Sequence, residues 1–115
     1  MSKQLKTRIE KMGLVLPPAP QPAGVYRPIL VIGNQILVSG QGPVLFDGSL
    51  MQGKVGSVLD KEQGKTAARQ VGLTMLSTLV THASEDLKIK RVIKVLGMVN
   101  ATPEFQEHPY VINGF

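Results

Sequence analysis

Apolar positions in the middle of the chain recur at helical spacing. Between Lys61 and Ala83, residues Ala68, Val71, Met75, Leu76, Leu79, Val80 and Ala83 fall at steps that only a helix gathers on one side, which predicts a long helix with that stripe as its core face. Asp60 is its expected N-cap, because a short acceptor side chain can reach the free amides of the first turn. Leu5, Ile9 and Met12 show the same period near the N-terminus and predict a short helix closed by Gly13.

Elsewhere the period is two. Ile29 to Ile32 and Gln35 to Ser39 are β-rich runs on either side of Gly33-Asn34, a pair expected to supply the positive φ angles of a tight hairpin turn. Apolar residues occupy both faces of the second run, so both are expected to be covered. Asp47-Gly48 is a second turn signal, with Leu50 to Val55 as a short return strand. Arg91 to Val99 alternates, Ile93, Val95, Gly97 and Val99 opposing Val92, Lys94, Leu96 and Met98, and predicts a further strand. Ser84, followed by Glu85 and Asp86, predicts one or two helical turns before it. Thr102 and Pro103 start another turn, and Pro109 opens a helix whose apolar stripe begins at Val111, Ile112 and Phe115.

Between the first helix and the hairpin, Pro17, Pro18, Pro20 and Pro22 stiffen an extended connector, since proline restrains itself and its predecessor. A helical extension over residues 1–16 and one domain over 17–115 follow from this layout. The order hairpin, helix, strand, helix leaves apolar sheet uncovered, so either another subunit or more chain is expected to cover it.

Composition narrows the chemistry. The 115 residues, 43% of them hydrophobic, suit one small core. There is no Cys, so neither disulfides nor thiolate metal sites can form. No apolar run approaches the roughly 20 residues of a membrane helix, and residues 1–13 lack a signal-peptide segment, so a soluble, cytoplasmic protein without a membrane role is expected. The net charge of +5 comes from groups such as Lys3, Lys6, Arg8 and Lys11, with Lys88, Lys90, Arg91 and Lys94. No aromatic residues lie among them to stack bases, so they read as a solvated face rather than a nucleic-acid surface. His82 and His108 are far apart without carboxylates at ligand spacing, and no metal site is expected; His82, near a helix end, reads as a dipole-complementing or core histidine. No nucleophile elbow, P-loop or dinucleotide fingerprint is present.

The phrase Gly33-Asn34-Gln35-Ile36-Leu37-Val38-Ser39-Gly40-Gln41-Gly42-Pro43 ends a strand abruptly in small residues. Together with Ala23-Gly24-Val25-Tyr26, the helix running to a Ser-x-x-Leu start at Ser84, and Val92-Ile93-Lys94-Val95, it resembles the YjgF/RidA family, also called the endoribonuclease L-PSP family. The match runs from Pro22 to Phe115. Asn100-Ala101-Thr102-Pro103-Glu104-Phe105 and Glu107-His108-Pro109 are similar to its longer branch with an added N-terminal helix.

That resemblance implies an α+β, chorismate-mutase-like fold, an antiparallel-rich sheet with helices packed on one face, assembled as a homotrimer with sites in the clefts between subunits. It also implies hydrolysis of enamine or imine intermediates such as 2-aminoacrylate to a 2-keto acid and ammonia, with no cofactor. Two alternatives stay open: a non-catalytic small-ligand or regulatory protein on the same trimer, and a ribonuclease or translation inhibitor. Substrate-binding positions carried over are Tyr26, Ser39 and Gly40, for a small 2-imino or 2-keto acid. Gly40, lacking Cβ, would let backbone approach the ligand. Ser39 would bond near the ligand or satisfy a local backbone group, and Tyr26 would orient substrate or water or sit at the trimer seam; Gln41 reads as structural. The family's carboxylate-binding arginine, in an Arg-Ser-x-Val phrase, and its water-positioning Glu on the last strand have no counterpart here and are expected beyond Phe115, with the C-terminal part incomplete. Arg27 and Arg69 do not match the arginine's position, so the catalytic residues stay unknown.

Overall fold

The computed structural model describes residues 3–115. The elements are α1 (Lys3–Lys11), β1 (Ile29–Ile32), β2 (Gln35–Val38), α2 (Lys61–His82) and α3 (His108–Ile112). Among the described residues they form an α+β arrangement in which α2 is central, packing on α3 and touching β1 of a two-stranded antiparallel sheet.

Helix α1 ends as its sequence predicts. Gly13 takes φ +69°, and the amides of Gly13 and Leu14 return to the carbonyls of Glu10 and Ile9, capping the last turn. Ile9 is its buried residue, and Met12 is exposed.

Strands β1 and β2 pair Ile29 with Val38 and Ile32 with Gln35. The turn between them corrects one expectation: Gly33 has φ +59°, but Asn34 does not enter the left-handed region. A positive φ at the first central residue alone is the type II′ pattern, which needs glycine only there. The expected cover on both faces is absent within this one chain: Leu30, Val31, Ile32 and Leu37 are all exposed.

After β2 the chain is mostly irregular. The Asp47-Gly48 turn forms, with the Leu45 amide donating to Ser49 O at 2.8 Å and Val44 bridging Leu50. The return strand over Leu50 to Val55 does not form. Val55 is committed elsewhere, its amide donating to Asn100 O at 2.9 Å and its carbonyl accepting from Thr102 N at 3.0 Å.

Helix α2 starts at the expected N-cap. Asp60 Oδ1 accepts from the Gln63 amide at 2.7 Å, and Gln63 Oε1 accepts from the Asp60 amide at 2.9 Å, a reciprocal capping box. Its buried face differs from the expected one. Gly64, Leu73, Thr74, Ser77 and Thr78 are buried, whereas Ala68, Val71, Met75, Leu76, Leu79 and Val80 are only half-buried; of the expected stripe, only Ala83 is buried. At 3.6 residues per turn Leu73, Thr74, Ser77 and Thr78 centre on the side roughly opposite that stripe, while Gly64 falls on the stripe's own side. The reason is the neighbour: the face beside the irregular loop must satisfy backbone groups there, so small polar residues occupy it.

Three further expectations are corrected. Residues 84–87 make a single turn, closed by the Leu87 amide on Ser84 O, rather than a helix. Residues 91–99 pair with no strand among the described residues, and Val92, Leu96 and Met98 are exposed, Leu96 at 80%. Alternation marks a chain suited to a sheet, but a ladder partner makes it a strand. Similarly, Thr102 and Pro103 open only a turn, closed by the Phe105 amide on Thr102 O. Helix α3 then forms with Pro109 in its first turn and Val111 buried.

Candidate functional site

Ser39 and Gly40 follow β2 directly, and Tyr26 lies on the lead-in to β1. Beyond β2 the ladder continues for one bond, the Ser39 amide donating to Pro28 O at 3.0 Å, and Ser39 Oγ donates to Arg27 O at 2.5 Å. Ser39 therefore satisfies a local backbone group, as one of its two readings required, while its oxygen keeps lone pairs for a further donor. Tyr26 precedes Arg27. Its phenol oxygen accepts from the Ala23 amide at 3.1 Å, leaving the phenol proton to donate outward, and the ring is half in solvent.

Gly40 follows on the exposed side. Among the described residues, no atom lies within 4 Å of where a Cβ would sit, and the position opens outward. Space for a ligand's approach is thus present, set by no contact of the chain's own. The strand end offers the Ser39 hydroxyl and exposed backbone, groups that can orient a small polar molecule by hydrogen bonds.

Beneath it lies a support that the sequence reading missed. Gln41 Nε2 donates to Ser39 O at 3.1 Å, and Gln41 Oε1 accepts from Thr78 Oγ1 at 3.2 Å, which makes Gln41 structural as expected. Thr74 Oγ1 accepts from the Val44 amide at 3.1 Å and donates to Gln70 O at 2.9 Å, and Gln70 Nε2 donates to Val44 O at 2.5 Å. Ser77 Oγ donates to Pro17 O at 2.7 Å, tying the proline connector to the same helix. The signal was present in Thr74 and Thr78, polar residues four apart in the more apolar stretch from Val71 to Val80, a spacing that places both on one face.

A second cluster joins α2 to α3. Tyr110 donates its phenol proton to Glu62 Oε1, and this bond, with slight burial and the Glu62 and Glu107 charges, pushes the phenol above its ordinary value. Lys61 pairs with Glu107 at 3.1 Å, and the Lys61 and Lys65 ammonium groups lie 5.0 and 4.5 Å from the centre of the Tyr110 ring. These exposed contacts clip one helix to the other. Near the hairpin, the Asp47 carboxyl is held below its ordinary value by the hydroxyl and then the amide of Ser49.

The histidines join neither cluster. His82 is exposed in the last turn of α2, which overturns the core alternative and leaves it where a cation suits the helix dipole. His108 begins α3 with its ring edge-on to Phe105, centres 5.3 Å apart.

An α+β chain with this hairpin and central helix, presenting small polar groups at a strand end, belongs to a recognisable class. Residues 6–115 match the family described as "YjgF/chorismate mutase-like, putative endoribonuclease". Protein TCP17 of Trypanosoma cruzi is 34% identical over 113 residues, covering 98% of this chain and 71% of that protein. The crystal structure of a "putative endoribonuclease" from Shewanella oneidensis MR-1 superposes with a TM-score of 0.85 at 31% identity, over 96% of this chain and 73% of that one. Atu1372 of Agrobacterium tumefaciens, a protein of unknown function, gives a TM-score of 0.76 at 34% identity, over 96% and 68% of the two chains. The chain belongs to the YjgF/RidA family and has its chorismate-mutase-like fold.

Proposed function

We propose that the protein hydrolyses reactive enamine or imine intermediates, such as 2-aminoacrylate, to a 2-keto acid and ammonia. The observation that carries this reading is the open strand end after β2, where the Ser39 hydroxyl bonds Arg27 O and nothing described stands within 4 Å of the Gly40 Cβ position. Membership of the YjgF/RidA family supports it.

The reaction needs little from its catalyst. The enamine takes a proton on its terminal carbon and becomes the imine; water adds its oxygen to C2 and passes its protons to nitrogen; the C–N bond breaks, leaving ketone and ammonia. The imine carbon is already electrophilic, so orientation of substrate and water and help with these proton transfers suffice. Tyr26, with an outward phenol proton, and Ser39, with free lone pairs, can hold substrate or water, while Gly40 leaves room for the ligand against backbone. Neither Arg27 nor Arg69 is assigned the substrate carboxylate.

The site lies in the cleft between subunits of a homotrimer in this reading. Exposed apolar side chains on the hairpin, Leu30, Ile32 and Leu37 on one face and Val31 on the other, support association, since both faces of the ribbon leave apolar surface to be covered. No described helix is long and apolar enough to cross a membrane. We place the activity in the cytoplasm, where pyridoxal-phosphate enzymes release such intermediates.

The test generates 2-aminoacrylate in situ with a serine dehydratase and measures ammonia release above the spontaneous rate. Acceleration is expected from the full-length protein. Pyruvate binding without acceleration would replace the deaminase by a binding protein. Because the family description names an endoribonuclease, RNA is assayed in parallel, and salt-sensitive cleavage that persists through purification would replace it by a nuclease.

A further inference from the structure

The loop that carries Ser39 and Gly40 is fastened to α2 at both ends, and the two fastenings differ in what they hold. At Val44, the pair Thr74 and Gln70 takes up both backbone groups of one residue. At Ser39 the connection runs through a side chain: Thr78 Oγ1 to Gln41 Oε1, then Gln41 Nε2 to Ser39 O, with Ser39 Oγ in turn on Arg27 O. Thr78 is 0% exposed, so its hydroxyl has no water to turn to. Gly40 has no side chain to hold it, and nothing described stands within 4 Å of its Cβ position. The plane of the Ser39–Gly40 peptide is therefore held from the Ser39 carbonyl, and that carbonyl is held by Gln41.

Resting on the deaminase reading above, we propose that Thr78 is a positioning residue for the ligand site, acting through Gln41 to orient the Ser39–Gly40 peptide against a small 2-keto or 2-imino acid. Both ends of the Gln41 amide are committed, which fixes its rotamer. Removing the Thr78 hydroxyl leaves Gln41 Oε1 without its partner in a half-buried place, so the amide swings toward water and releases the Ser39 carbonyl. The peptide then rotates about a glycine that offers little resistance.

The experiment compares the unaltered protein with Thr78→Val, which keeps the shape and removes the hydroxyl, and Thr78→Ser, which keeps the hydroxyl. Three quantities are read where each variant is fully folded: the backbone amide resonance of Gly40, the Kd for pyruvate, and kcat and KM with 2-aminoacrylate made in situ. Thr78→Val should shift the Gly40 resonance, and weaken pyruvate binding and kcat/KM about three- to tenfold, the effect of one hydrogen bond. Thr78→Ser should restore all three to within about twofold, since the donor is returned. If Thr78→Val does not fold, Gln41→Met cuts the same link from the half-buried loop and should give the same changes.

A lower melting temperature with an unmoved Gly40 resonance and unchanged pyruvate Kd would overturn the proposal, because Thr78 would then only pack. An unaltered protein that releases no ammonia would overturn the deaminase reading alone. In that case the Gly40 resonance still decides whether Thr78 sets the peptide.

Discussion

Gly64 of α2 and Val55 of the preceding loop approach so closely that a Cβ on the glycine would lie 2.9 Å from Val55 Cγ2, with Val111 Cγ2 at 3.2 Å from the same point. Three segments distant in sequence converge there, and the absence of a side chain at Gly64 lets them. Glycine inside a helix costs up to about 1 kcal/mol against alanine. Here the close packing of two buried valines offsets that cost.

Gly64→Ala should therefore destabilise the protein despite alanine's better helix propensity. Overpacking of a filled core costs about 1 to 3 kcal/mol, against at most about 1 kcal/mol gained from propensity. Urea denaturation measures the difference, and a rise in stability would show that Val55 yields without strain.

The phase of α2 is tested by two leucines. Leu73 is buried and Leu76 only half-buried. Leu73→Ala should cost about 2 to 5 kcal/mol, and Leu76→Ala clearly less. Equal losses in denaturant midpoints would mean that the helix buries both sides alike.

Tyr110 predicts a pH dependence. Its phenol value is raised above the ordinary 10.0, first by donation to Glu62, so the protonated form is favoured in the folded state. The stabilisation is full below the unfolded value and is lost as pH rises through the higher folded one. Of the two tyrosines, Tyr110 should ionise at higher pH than an unbonded phenol in an absorbance titration. Glu62→Ala should return it toward the ordinary value, and an unchanged titration would remove the bond from solution.

At the site itself, Gly40→Val fills ligand space, its Cβ standing more than 4 Å from every described residue other than its chain neighbours. It should abolish pyruvate binding while melting temperature and sedimentation remain those of the unaltered protein. Tyr26→Phe removes one hydroxyl and should be milder, about 0.5 to 1.5 kcal/mol in kcat/KM. Undiminished binding by Gly40→Val would move the ligand away from the hairpin end.

The sequence by itself determined the features whose causes are local. Gly13 closes α1, Gly33 turns the hairpin, and Asp60 starts α2, because each acts on backbone within a few residues. The phrases around Tyr26, Ser39 and Gly40 were legible only through their resemblance to a family, to which the chain belongs. Only the tertiary structure decided which side of α2 is buried. Most apolar residues of that helix gather on the Leu76 and Val80 side, so periodicity selects it, while the choice fell to a loop 37 residues away whose polar groups needed Thr78. Residues 91–99 carry the opposite lesson. Their alternation suits a strand, but a strand exists only when another chain segment accepts its hydrogen bonds, and none of the described residues does so.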